Sequence, residues 1–536
     1  MAKKKKSAGG SFAETCASAF SGAISCFIFL LVMVFPLIYH DSYFDILETK
    51  YRCYYLCVIG MTAVCLVMAI SMAVVDRKEY GGEHVKRLLA GLAPKQWKKT
   101  FCAADAAVIV FWLTAVISTC QSEYRYEAFW GNEGRYTGLF LLTLYVISYF
   151  LISRCWKMRA WLLDAFLVSG MLMCFVGITD YFQMDILSFR TYMNPKQYTM
   201  FTSTVGNINT YTAYVALIMG FSAAMFGTAK GTWRVLWYYA CMAVSFMAII
   251  MGCSDNAYLA LGALFVFLPF VLFKTWRGML RYLIMAATFF TVTQCVDKIN
   301  QVYEETVVGL DSLFQIIVGF SGLPMIVAGL WIAVVGFYIL VEKDSKMDSS
   351  MGKWPVRVWS VFVIACVVIV CVMMVDANLL GNGKRYGSLG TYLVFNDSWG
   401  TNRGYIWRKS VELYRDFPAM HKLFGYGPDT FGILVTKEIR AEMVQATSQV
   451  FDTAHNEYLQ LLVTIGLFGV ISYVAFGILA LVTFCRNLKK HPYLIGCIAA
   501  IICYSAQALV NLNLPIVAPI LWLMLSVGMA ICREKN

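Results

Sequence analysis

Apolar runs of about 18 residues or more recur along almost the whole chain, and the polar interruptions between them are short except for one stretch, 376–456. A run of that length spans a ~30 Å hydrocarbon core as α-helix. Helix is also what bonds every backbone N–H and C=O within a single segment when no water is at hand. The pattern therefore predicts helices over 18–40, 53–75, 103–121, 136–153, 160–180, 210–227, 235–253, 256–273, 278–296, 322–342, 357–375, 457–484, 493–510 and 514–532. Only "CSDN" separates the pair around 235–273. The expected fold is an all-α polytopic integral membrane protein of about 14 transmembrane helices (12–14), with a large extracytoplasmic loop before the third-last helix. Its organisation reads as helices 1–11 with short loops over 1–375, the loop over 376–456, and helices 12–14 with a cytoplasmic tail over 457–536.

Composition sharpens this picture. Of 536 residues, 60% are hydrophobic and 14% charged, and mean hydropathy is +0.65, outside the range of soluble domains. Lys and Arg gather on the side of the opening "MAKKKK", which by the positive-inside rule puts both termini in the cytoplasm. The net charge of +12 is then mostly that asymmetry plus attraction to anionic lipid, and no nucleic-acid partner is implied. The first apolar run is too long for a signal-peptide core and is read as retained. The 18 cysteines are scattered, mostly inside apolar spans, with no CxxC pair and no metal-ligand spacing.

The chemistry concentrates in the long loop and beside it. The 376–456 stretch carries nine Lys/Arg against eight Asp/Glu, so it can fold as a neutral lid. "GYIWRKSVELYRDFP" reads as an amphipathic helix lying on the membrane and stopping at Pro418, "GYGPDTFG" as a turn, and "ILVTKEIRAEMVQA" as a second short helix. In "DTAHNEYLQLLVTIGLFG", Tyr458, Leu461, Leu462 and Ile465 recur at helical spacing, so a helix begins near Asn456 and places His455 at its N-terminus. The free N–H groups there disfavour imidazolium and favour a bound anion, a setting for a neutral general base. Gly466 and Gly469 would allow close helix contact below it. "GNIN" sets Asn207 and Asn209 at the mouth of the sixth span, able to donate to sugar hydroxyls, and Arg403 precedes Trp407 by one helical turn, a cation beside an indole. Arg135 in "EGRYTG" and Arg190 in "LSFRTYMN" are outer-face cations within the repertoire of phosphate ligands.

Each residue also has a plainer reading. His455 also reads as an interfacial residue that caps the helix, Asn207 and Asn209 as N-caps, and Arg403 with Trp407 as a headgroup anchor. His40, His84, His421 and His491 read as loop residues.

Three motifs in this order carry a resemblance. "GNINTYTAYVAL", "NRGYIWRKSVELYRDFPAMHKLFGYGPDTF" and "AHNEYLQLLVTIGLFG" resemble those of the O-antigen ligase / Wzy-type polysaccharide polymerase superfamily, across roughly 200–510. The resemblance implies a metal-independent membrane glycosyltransferase with no cofactor. It would move or polymerise an undecaprenyl-diphosphate-linked glycan at the outer face of the bacterial cytoplasmic membrane, during surface polysaccharide assembly. The acceptor would be a glycan, a lipid or a protein. Membrane lipids surround the chain, and a flippase or chain-length regulator would be a further partner.

By motif position His455 matches the family's essential His and Arg403 its loop Arg. Arg190, Arg135, Asn207, Asn209, Trp407 and Asn456 are the expected substrate-binding residues. The family often has another Arg after the turn between the seventh and eighth spans; here Asn256 stands in that place, and Arg190 or Arg135 would supply the charge. The alternative is a polytopic secondary transporter or lipid-linked glycan flippase. Against it stand spans nearly free of charge, with Asp105, Asp164 and Arg281 near their ends, and the absence of an inverted repeat.

Overall fold

The computed structural model describes residues 2–91, 93–310, 312–343 and 347–534. Eleven helices among them are long and apolar enough to cross a membrane, and three shorter apolar helices, Leu139–Cys155, Ala257–Leu272 and Ala518–Arg533, fall where further spans are predicted. In chain order the principal helices are α1 (Ala2–Phe29, continued by a π-helical turn Leu30–Val34), α2 (Ile46–Tyr80), α3 (Ala103–Gln121), α4 (Leu139–Cys155), α5 (Ala160–Tyr181), α6 (Ile208–Thr228), α7 (Thr232–Met251), α8 (Ala257–Phe267), α9 (Trp276–Val302), α10 (Leu323–Lys343) and α11 (Trp354–Asn378). The long loop contributes α12 (Trp399–Asp416), α13 (Ala419–Phe424) and α14 (Phe431–Thr447), and the chain closes with α15 (Glu457–Thr464), α16 (Gly466–Asn487), α17 (Tyr493–Gln507) and α18 (Ala518–Arg533). The one sheet among the described residues is a pair of two-residue strands, Phe201–Thr202 and Gly206–Asn207, which fixes the turn leading into α6.

α6 is apolar on every face and buried along its whole length, the position such a helix must take. α17 and α7 pack along it, α18 lies against α4, and α3 against α16. α10 and α11 stand outside this body. α11 buries only Pro355 and Ala377, so its surface is left for lipid, and it delivers the chain into the long loop. At the end of the bundle away from that loop, the Asp105 carboxylate receives Arg154 and Arg533 and thereby ties the last helix to α3. A fully buried carboxylate with two guanidiniums and the Tyr149 hydroxyl is a satisfied structural network.

The loop has a core of its own. Tyr405, Ile406, Phe431, Leu434, Val435, Met443 and Phe451 pack together, so α12 buries its apolar face against α14. Gly400, Thr401 and Asn402 are left-handed, and the regular right-handed helix of α12 starts at Arg403.

The structure corrects one predicted element: 457–484 is two helices, α15 and α16, parted at Ile465–Gly466. Gly466 has φ +77°, and a Cβ there would sit 2.5 Å from the Leu423 carbonyl of the loop. Gly425 has φ +72°, and its Cβ would lie 2.2 Å from the Thr464 carbonyl. The two glycines let the loop backbone lie directly on the break. The carbonyl of Thr464 then accepts from the Gly427 N–H and the Ser118 hydroxyl, both at 2.9 Å. Gly466 thus serves contact with the loop, where close packing of membrane helices was the expectation.

Gly466→Ala combines about 1–2 kcal/mol of left-handed backbone cost with a backbone clash. It lowers the unfolding temperature in detergent by several degrees (about 3–6 °C), whereas Gly477→Ala, facing open space in the same helix, leaves it within about 1 °C.

Candidate active site

His455 lies directly before α15, whose cap is Asn456: its Oδ1 accepts the N–H groups of Tyr458 and Leu459, both at 3.0 Å. His455 itself has φ +47°, an unfavourable conformation for a side chain with a Cβ. What holds it there is the preceding residue. The Ala454 N–H donates to Gln460 Oε1 and its carbonyl accepts from Trp407 Nε1, both at 2.9 Å. One clamp comes from α15 and the other from the loop helix α12, so the backbone that aims the imidazole is fixed from both sides. Nδ1 of His455 is buried with no hydrogen-bond partner, and the Phe451 ring meets the imidazole edge-on at 5.9 Å.

Two cavities meet at His455. The outer one, about 430 Å3, is lined by Asn207, Asn209, Arg135, Glu48 and Glu133 among others. The inner one, about 60 Å3, runs between α3, α4, α15 and α18 past Asp429, Thr453, Glu457 and Tyr145. Arg135 lines both. Its guanidinium forms a two-pronged pair with Asp452 at 2.6 and 3.0 Å. The turn that carries it is pinned by Asp429, which accepts the Asn132 and Thr137 N–H groups at 2.7 and 3.0 Å. Burial pushes the Asp429 carboxyl up to about 6 against those two donors.

Arg403 donates to Asn256 Oδ1 at 2.9 Å, and Asn256 in turn donates to Asn209 Oδ1 at 3.0 Å, where the Ser254 hydroxyl also binds. Asn256, which stands where the family often has Arg, is thus the residue that holds the loop arginine. Burial draws the Arg403 guanidinium below its ordinary range. Burial, then the charges of Arg403 and Arg135, push His455 down to about 4, so the imidazole is neutral near pH 7.

Of the sequence-predicted residues, His455, Arg135, Asn207 and Asn209 line the outer cavity, and Asn456 lines the inner one. Asn207 acts as the cap of α6, accepting the Asn209 N–H. Arg403 reaches the group through Asn256. Trp407 packs at a tilt against Trp399, ring centroids 5.2 Å apart at 52°, and donates to the Ala454 carbonyl, while the Arg403 guanidinium goes to Asn256. Arg190 lines neither cavity; it is buried, donates to the Asp180 and Phe201 carbonyls, and leans on the Tyr198 ring.

Sequence reasoning passed over Asp429, Gln460 and the partners of Glu457, whose carboxylate collects Tyr473, Tyr504 and Asn513. The signal for Asp429 was its place after Gly427-Pro428. Gln460 and Glu457 had none beyond lying beside His455. Among the described residues no group of three His, Cys, Asp or Glu side chains is arranged to hold a metal ion.

Because the Ala454 clamp is local, Trp407→Phe and Gln460→Met each speed amide hydrogen exchange across 451–457 by about tenfold or more, the loss of roughly one buried hydrogen bond of about 1.5 kcal/mol. Exchange in α6 stays unchanged.

A search among curated proteins returns no match. The family model described as O-Antigen ligase matches residues 307–474, which include α10, α11, the whole loop, His455 and the break before α16. Over 307–474 the chain, a multi-pass membrane protein, is thus similar to the O-antigen ligase domain of membrane enzymes of polysaccharide assembly.

Proposed function

We propose that the protein transfers or polymerises a glycan carried on undecaprenyl diphosphate, at the outer face of a bacterial cytoplasmic membrane, with both termini inside and the 376–456 loop as a lid over the site. The observation that carries this reading is a neutral His455 lying between two cavities, in the electrostatic reach of Arg403 and Arg135.

In the reaction, a hydroxyl of the acceptor attacks the anomeric carbon of the donor glycan. Its proton goes to the His455 imidazole as the new C–O bond forms. The bond from the anomeric carbon to the diphosphate breaks, and the electron pair leaves with the lipid diphosphate. Arg403 and Arg135 offset the charge growing on that leaving group, about 3 kcal/mol each for fixed donors in a water-poor site. The imidazolium then yields its proton to the departing diphosphate or to water.

The same electrostatics tune the base. Before the donor binds, burial and, after it, the two guanidiniums hold His455 well below the ordinary histidine range, and it accepts protons weakly. The diphosphate neutralises them on arrival, which raises the basicity of the imidazole only when substrate is in place. Arg135 must first exchange Asp452 for phosphate oxygens, which it can do because the Asp452 side chain is about half exposed.

Cells deleted for the gene and complemented with His455→Ala at matched membrane abundance show loss of transfer by about 10³-fold, the range of general-base catalysis. Arg403→Ala loses about 10²-fold, as expected for one fixed charge donor. On gels of surface polysaccharide, loss of the long ladder with accumulation of single lipid-linked repeats identifies a polymerase. Full-length glycan retained on the lipid identifies a ligase. Native transfer by His455→Ala contradicts the proposal.

A further inference from the structure

The inner cavity holds two side chains that nothing above employs. Tyr145, 1% exposed on α4, and Thr453, 6% exposed just before His455, both line it, and neither hydroxyl has a hydrogen-bond partner. Buried hydroxyls are ordinarily paired, and an unpaired one costs free energy unless something binds there. His455 Nδ1 is the third unpartnered polar atom among the residues that line this cavity.

The walls say what kind of group fits. Two carboxyl groups face the cavity, Glu457 and Asp429, against a single cation, Arg135, already held by Asp452. That balance disfavours a phosphate. Part of the lining is aromatic: Tyr145 lies flat on Trp522, ring centroids 5.3 Å apart at 14°, and Phe111 and Tyr473 also line the cavity. Hydroxyls that both donate and accept, next to an aromatic face, suit a sugar, whose ring presents hydroxyls at its edge and C–H groups on its face. The volume, about 60 Å3, is room for roughly four waters, so it admits the edge of a ring rather than the whole of it.

We infer that the inner cavity is a sugar subsite, in which the Tyr145 and Thr453 hydroxyls hydrogen-bond the hydroxyl-bearing edge of a neutral pyranose; the inference rests on the glycosyl-transfer reading above. The sugar's reacting end then lies at His455, where the inner cavity meets the outer one. The outer cavity, about 430 Å3, leaves room for the rest of the substrate. Tyr145 and Thr453 act as binding residues and take no part in proton transfer.

The test is a thermal-shift titration of the detergent-purified full chain with two probes: lipid-linked glycan extracted from the cells that make the protein, and the oligosaccharide released from it by mild acid. Tyr145→Phe and Thr453→Val remove a hydroxyl each and keep the shape. Each weakens binding about tenfold, the loss of one hydrogen bond, while the unfolding temperature without ligand stays the same or rises. Weakening with the intact lipid-linked glycan alone assigns the subsite to the sugar next to the diphosphate. Weakening with the free oligosaccharide as well assigns it to the acceptor end. Unchanged affinity of both variants for both probes, or a wild type that binds neither, overturns the inference. Binding is read without turnover, so a wild type that binds sugar through these hydroxyls and transfers none overturns the enzymatic reading and leaves the subsite standing.

Discussion

A carbonyl left open inside an apolar bundle is costly, and the architecture of the site follows from how this chain satisfies one. The helix that would run from Glu457 to Asn487 breaks at Gly466, which frees the Thr464 carbonyl beside the loop and the end of α3. The loop answers with the Gly427 N–H and α3 with the Ser118 hydroxyl. To bring Gly427 that close, the backbones of 423–425 and 464–466 must touch, and only glycine at both 425 and 466 permits it. The loop is therefore anchored on the membrane body at the base of the His455 helix, and everything the loop carries inherits a fixed position relative to that histidine.

From that anchor the remaining parts fall into place. Pro428 and Asp429 follow Gly427, and Asp429 pins the turn that bears Arg135. α12 starts from a left-handed turn that sends Arg403 toward Asn256 and Trp407 toward Ala454. Arg135, Asn256, Arg403 and Asp429 come from four different segments, and Trp407 shares α12 with Arg403. His455 alone is placed by its own helix, and even it depends on Trp407 and Gln460 to hold the residue before it.

The sequence already displayed much of this, and the reasons it stopped where it did are physical. The spans were legible because lipid imposes a length and an apolarity on each helix, and the start of α15 because the spacing of Tyr458, Leu461, Leu462 and Ile465 is helical. The break at Gly466 was not, since the apolar run continues through it and a left-handed glycine leaves no trace in hydropathy. Arg190 and Arg135 look alike as outer-loop cations. Only the fold turns Arg190 inward onto the Asp180 and Phe201 carbonyls and Arg135 onto the cavity. Asn256 read as a missing charge and is instead the bracket for Arg403, a pairing between residues 147 positions apart. Tyr145 looked like one more aromatic of a membrane helix, because a hydroxyl without a partner is a property of the packed state.

The account turns on one electrostatic relation: on top of burial, two arginines lower the basicity of His455 until a diphosphate offsets them. It is tested most directly by titrating the five histidines of the ¹³C-labelled protein by NMR in detergent, with His455→Gln for assignment, in the absence and presence of undecaprenyl diphosphate. The cations lower an imidazole pKa and a bound anion raises it, so His455 should titrate at about 4 alone and move up with the diphosphate, while burial still holds it below the ordinary histidine value of about 6.5. A value that starts near 6.5, or one that stays at about 4 once the diphosphate is bound, would contradict it.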